Sequence, residues 1–119
     1  METQDVGAWG ESVARKFLEE HGFVILETNW HCSHKEVDII AQEGNTIVFV
    51  EVKTRTTTFS SPVDAVNKQK QKFLFYAADS YVKKKQLDCD IRFDIVSIVA
   101  LKGNIKLEHI SNAFYPSVK

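Results

Sequence analysis

Residues 36–55, EVDIIAQEGNTIVFVEVKTR, decide the fold. Two apolar, β-branched runs, Glu36–Gln42 and Thr46–Thr54, are joined across Glu43-Gly44-Asn45, which has the chemistry of a hairpin turn. Residues two apart on a strand share a face, so Glu36, Asp38 and Ile40 project together, as do Ile47, Phe49, Glu51 and Lys53. With Gly44-Asn45 as the turn, Glu43 opposes Thr46 and Ile40 opposes Phe49. Asp38 then faces Glu51, and Glu36 faces Lys53. Directly opposed side chains have Cβ atoms about 4.5–5.5 Å apart. Two carboxylates at that separation repel unless something positive lies between them.

The second strand is apolar on both faces at Val48, Phe49, Val50 and Val52, as expected of a central strand. A Glu and a Lys there are costly to bury unless paired or bound to an ion. Glu36 and Lys53 also read as an ordinary cross-strand ion pair, and Glu51 as a surface acid. The Asp–Glu juxtaposition is what structure alone explains poorly.

Outward from this hairpin, Val6–His21 has Val13, Ala14, Phe17 and Leu18 at helical spacing, with Thr3 or Asp5 as cap and Gly22 as stop. Phe23–Thr28 reads as a short strand and polar Asn29–Lys35 as a loop or bend. Ser61-Pro62-Val63-Asp64 has a helix-start signature, and an apolar stripe from Val66 through Val82 runs to about Lys84, with a break near Asn67 allowed. Ile91–Leu101 is a strong strand, and Ile105–Ile110 a weaker one after Lys102-Gly103-Asn104. The order α-β-β-β-α-β-β predicts an α/β layer structure with a central mixed sheet. The helix between the third and fourth strands implies that those two run parallel.

The chain has 119 residues, a single-domain length, with 44% hydrophobic and 26% charged residues, which excludes a disordered chain. Its net charge of -1 argues against a histone-like binder but hides a segregation. Residues 1–51 carry ten acids and three bases, whereas residues 52–86 carry eight bases and two acids. The N-terminus is neither basic nor apolar, no run is long enough to cross a bilayer, and two cysteines suit a reducing cytoplasm. No membrane partner is expected. His31-Cys32-Ser33-His34 matches no standard zinc spacing.

Glu11 lies at the edge of the first helix's apolar face, where it either reaches over the rim of the sheet or merely complements the helix dipole. Asp38 followed by Glu51-Val52-Lys53, with Glu11 on a preceding helix, resembles the E…D…ExK signature of the PD-(D/E)xK nuclease superfamily. More closely, Gly10-Glu11, Asn29-Trp30, Glu36–Ala41, Val48–Arg55, Lys70, Ala77-Ala78, Arg92-Phe93-Asp94 and Asn112-Ala113-Phe114 resemble the YraN family of bacterial proteins, related in fold to the archaeal Holliday-junction resolvases. The chain departs from that family at Lys35, where a glycine is usual, at His31, where an arginine is common, and at Ser60-Ser61, which replaces a loop glycine.

The resemblance implies a restriction-endonuclease-like three-layer α/β fold, with residues 1–119 as one PD-(D/E)xK nuclease-like domain. It implies a metal-dependent endonuclease hydrolysing DNA phosphodiester bonds, at branched or nicked DNA in repair or recombination. Asp38 and Glu51 would then hold Mg²⁺ or Mn²⁺, aided by the Val52 carbonyl and by Glu11, with Lys53 completing the catalytic set. Arg55, Lys68, Lys70 and Lys72 are candidate contacts to nucleic acid, Lys70 otherwise being a lysine snorkelling past a core face. Glu36 would support the site. Arg92 and Asp94 either brace it or form an ion pair apart from the chemistry. The alternatives are a catalytically silent nuclease-fold protein that binds nucleic acid, or an accessory subunit; a homodimer or protein partner would enlarge the modest basic surface. The tail Ala113-Phe114-Tyr115 either docks to such a partner or covers its own sheet.

Overall fold

A computed structural model describes residues 3–56 and 66–116. Helix α1 spans Thr3–Glu20, strand β1 Val24–Cys32, β2 Lys35–Glu43, β3 Thr46–Arg55, helix α2 Lys68–Lys85, β4 Asp90–Leu101 and β5 Asn104–Ile110. The strands form one sheet in the order β1-β2-β3-β4-β5. The β3–β4 pair is parallel and the others are antiparallel, as a helical crossover between those two strands demands. Helices cover both faces, making the three-layer α/β arrangement expected of a nuclease-like fold.

Each face has its own core. On one, Ala14 and Leu18 of α1 meet Ile39, Ala41, Val48, Val50, Val96 and Ile98. On the other, Leu74, Ala77, Ala78 and Tyr81 of α2 meet Ile40, Ile47, Phe49, Phe93 and Ile95. The alternation along β3 thus splits its side chains between two cores, which is why the strand reads as continuously apolar. Phe114 is 6% exposed and stacks on Phe93, so this residue of the tail covers its own sheet, whereas Tyr115 is 72% exposed.

Local chemistry sets the ends of the helices. Gly22 at φ 90° closes α1, with Phe23 N–H donating to the Leu18 carbonyl at 3.0 Å and Gly22 N–H to that of Glu19 at 3.3 Å. Asn67 caps α2, its side chain accepting from Lys70 N–H at 2.8 Å. The expected start at Ser61-Pro62 lies outside the described residues. Gly10 lets α1 approach β3: a Cβ there would collide with Thr54 Oγ1 and stand 3.2 Å from Thr54 Cβ.

Two expectations need correction. Strand β1 does not end at Thr28 but runs to Cys32, through the segment read as a loop. A register shift between Ile25 and Glu27 and the left-handed Asn29 (φ 49°) absorb its polar irregularities while pairing continues to Cys32↔Lys35. The β2–β3 register is the one predicted, from Glu43↔Thr46 to Ile39↔Val50, but the ladder stops there. Asp38 is therefore not paired with Glu51 across the ladder, nor Glu36 with Lys53. The strands part at this point, and the Asp38 side chain fills the gap.

Candidate active site

Where β2 and β3 separate, Asp38 Oδ2 accepts a hydrogen bond from Val52 N–H at 2.8 Å. That bond satisfies a backbone donor freed by the end of the ladder and fixes the carboxylate beside Glu51. Glu51 follows Val50 on β3 and is 4% exposed, with Lys70 of α2 against its carboxylate. Its Oε2 lies 3.5 Å from Lys70 Nζ, while its Oε1 is buried without a hydrogen-bond partner. Burial pushes the Asp38 carboxyl up to about 7, with the Glu51 charge adding to the effect and the Val52 N–H and Lys70 opposing it. Burial, more than the neighbouring Glu51, thus keeps the Asp38 carboxyl protonated well above the ordinary carboxylate range.

Glu11 enters the same cleft from α1. Its Oε1 accepts from Asn29 Nδ2 at 2.8 Å. Burial raises its carboxyl above the ordinary range, the Asn29 bond opposes this, and the charges of Asp38 and Glu36 add to the rise. Asn29 is a positioning partner that the sequence reading missed. Its signal was local: Asn tolerates the left-handed backbone found there and offers an amide donor.

The cleft has a volume of about 550 Å³ and brings together Glu11, Asp38, Glu51, Val52 and Lys53, with Val6, Gly7, Thr54 and Thr56 at its walls. A neighbouring cleft of about 470 Å³, lined by Trp9, Leu101 and Ile105, shares Val6, Thr54 and Thr56 but is apolar and lacks the carboxylates. The chemistry therefore belongs to the first.

The other predicted residues are placed differently. Lys70 reaches the buried Glu51 carboxylate from α2, whereas Lys68 and Lys72 are exposed on the first turns of that helix. Arg55 donates to Ser97 Oγ at 3.4 Å, toward β4. Glu36 lies 3.5 Å from His31 Nε2 across the β1–β2 pair. Arg92 and Asp94 stand away from the acidic pair, beside Val48 and Val50 on the α1 face. Asp94 is fully buried and holds Arg92 through two bonds of 2.9 and 3.0 Å, His109 at 2.8 Å and Asn112 N–H at 3.0 Å. Burial alone would raise its carboxyl, but the bonds from His109, Arg92 and Asn112 outweigh that and hold it below the usual range. Arg92 also reaches Glu43 at 2.9 Å, so this network ties β4, β5 and the hairpin together.

The donor set can be tested against the divalent ion that a nuclease site of this type implies. A buried carboxylate oxygen without a hydrogen-bond partner, next to a second carboxylate, is a vacant hard-oxygen donor. Among the described residues, no group of three His, Cys, Asp or Glu side chains forms a metal cage. Asp38 and Glu51 alone would suit an ion such as Mg²⁺ or Mn²⁺, which takes one or two carboxylates and keeps several waters. Glu11, with one oxygen committed to Asn29, suits contact through such a water better than a direct bond.

Residues 10–98 match the Uncharacterised protein family UPF0102. The chain is 45% identical to a UPF0102 protein of Bacteroides thetaiotaomicron over 97% of its own length and 96% of that relative's. It is 44% identical to UPF0102 proteins of Flavobacterium psychrophilum and Geobacter metallireducens, over 96% of the chain in each case and 97% and 95% of the relatives. Glu11, Asp38, Glu51 and Lys53 all fall within the matched span. The YraN-like motifs and these similarities agree, and the chain belongs to the UPF0102 family.

Proposed function

We propose that this protein is a Mg²⁺- or Mn²⁺-dependent endonuclease of the cytoplasm that hydrolyses phosphodiester bonds in DNA, at branched or nicked sites. The observation that carries the reading is the convergence of Asp38 and Glu51 in one cleft, with Glu51 Oε1 buried and unpartnered. A nuclease has a use for such a pair; a purely structural strand does not, since desolvating two like charges is costly.

In this reading Asp38 and Glu51 hold the ion, which when bound supplies Lewis-acid polarisation of the scissile phosphate and a more acidic water. The Val52 N–H keeps Asp38 aimed at Glu51, and Glu11, steadied by Asn29, holds a water at the α1 side of the cleft. Lys53, on the same cleft wall, orients the attacking water and offsets charge that develops on the phosphate. Lys68 and Lys72 on the exposed start of α2 supply long-range attraction for the backbone, a contribution that weakens with salt.

The experiment is incubation of purified protein with branched, nicked and single-stranded DNA in Mg²⁺ or Mn²⁺, beside Asp38→Ala and Glu51→Ala. Cleavage that both substitutions abolish supports the reading, and cleavage unchanged by either assigns the activity to a contaminant. One observation favours a second reading, a nuclease-fold protein that binds nucleic acid without cutting: Arg92 is committed to Asp94 and Glu43, leaving few arginines for bidentate phosphate recognition. A salt-dependent gel shift with no cleavage under either ion would establish that alternative.

A further inference from the structure

Lys70 meets Glu51 from α2, not from the strand that carries Glu51 and Lys53. Its ammonium lies 3.5 Å from Glu51 Oε2, and its side chain is 31% exposed against 6% for that of Glu51. Among the described residues it is the only lysine in ion-pair range of the Asp38–Glu51 pair. The two ends of this lysine are held differently. Its backbone N–H is fixed to the Asn67 cap at 2.8 Å, so the root of the side chain belongs to the rigid first turn of α2. The ammonium sits at the end of a flexible stem, 5.7 Å from the centre of the Phe73 ring, a ring that also carries the Lys35 ammonium at 5.5 Å. Lys70 thus touches Glu51 and the Phe73 ring at once, with Lys35 on the same ring.

A divalent ion on Glu51 and an ammonium on the same carboxylate repel each other at this range, in a site too buried for water to screen them well. We propose that Lys70 is a tethered counter-cation that competes with the divalent ion for Glu51, so that loading the site requires the ammonium to swing off the carboxylate. The inference rests on the reading of Asp38 and Glu51 as ion ligands. Without an ion, Lys70 offsets the repulsion of two buried acids and keeps the empty site folded. With an ion, it becomes the repulsive element. The lysine therefore holds ion affinity down and selects for conditions in which the ion is plentiful.

The test is the affinity of the full-length chain for Mn²⁺, read from loss of the free aqueous Mn²⁺ EPR signal during titration. Lys70→Met keeps the length of the side chain and removes its charge, whereas Lys70→Arg keeps a charge; circular dichroism verifies that both are folded. The expected result is Mn²⁺ binding about tenfold or more tighter in Lys70→Met, the ratio that a 1.4 kcal/mol competition produces, with Lys70→Arg near wild type. If Lys70→Met binds Mn²⁺ no more tightly than wild type, the competition is overturned while the metal reading stands. Binding to Lys70→Met with none to wild type supports the competition and removes the metal-dependent reading for the native chain. Absence of binding to both overturns the two together. Should Lys70→Met fail to fold, the wild-type chain suffices. The Lys70 Cε–H resonances must then move with Mg²⁺ at the same midpoint as Glu51, and a lysine left unmoved while Glu51 responds overturns the proposal.

Discussion

Replacing Asp38 with Asn removes one ionisable group from the buried pair yet keeps a carbonyl oxygen for the Val52 N–H. In the folded chain the Asp38 carboxyl is pushed up from its ordinary 3.8 to about 7, by burial first and by Glu51 second. The folded state therefore holds this proton more tightly than the unfolded state does. Its contribution to stability is complete below the unfolded value and is lost as pH rises through the folded one. At 1.36 kcal/mol per pH unit, the whole interval is worth about 4 kcal/mol, of which about 3 kcal/mol is lost between pH 5 and pH 8. Chain relaxation and entering water make these upper bounds. Urea unfolding at both pH values, in EDTA so that no ion compensates, measures the loss directly. Wild type should be markedly less stable at pH 8 through this group, whereas Asp38→Asn should be insensitive to it and more stable than wild type at pH 8. The melting temperatures should diverge by on the order of 10 °C at the higher pH. Parallel losses in the two proteins would refute the argument, since they would show that neither burial nor Glu51 raises the Asp38 carboxyl in the folded chain.

Other consequences are more local. Gly10→Ala should destabilise by about 1–3 kcal/mol despite its gain in helix propensity, because its Cβ would collide with Thr54; adding Thr54→Ala should recover part of the loss in thermal melts. Asp94→Ala should cost about 2–3 kcal/mol by leaving the Asn112 N–H and His109 without their buried acceptor while Arg92 keeps Glu43, measured by urea unfolding at neutral pH. Because the Asp94 carboxyl is held below its ordinary value, its contribution is present above that value and fades as pH falls through the depressed one; Asp94→Asn should therefore flatten the acid limb of the stability curve.

The hairpin register was legible because turn chemistry and strand parity depend on neighbours in the chain. The same holds for the crossover, since a helical pattern between two apolar strands leaves few ways to connect them. The extent of β1 was not legible: Asn29–Cys32 is polar and irregular, and only pairing with β2 keeps it extended. Glu11, Asp38, Glu51 and Lys53 were all named from the residues and their likeness to a nuclease signature, and the fold brings them to one cleft. Asn29 and Lys70 meet Glu11 and Glu51 through contacts from β1 and from α2, which no spacing in the chain encodes.

By itself, then, the sequence determined the order of elements and the β2–β3 register, which follow from periodicity and local backbone preference, while the three-layer fold and the acids of the cleft were implied by its resemblance to a nuclease signature. Only the tertiary structure decided where the β2–β3 ladder ends, and hence that Asp38 reaches Glu51 by capping Val52 N–H and not by facing it across the sheet. It also separated Arg92 and Asp94 from the acidic pair and set Lys70 against Glu51. These are outcomes of burial and of competition for hydrogen-bond partners among residues distant in the chain. Such a competition is settled only when every packed layer is in place.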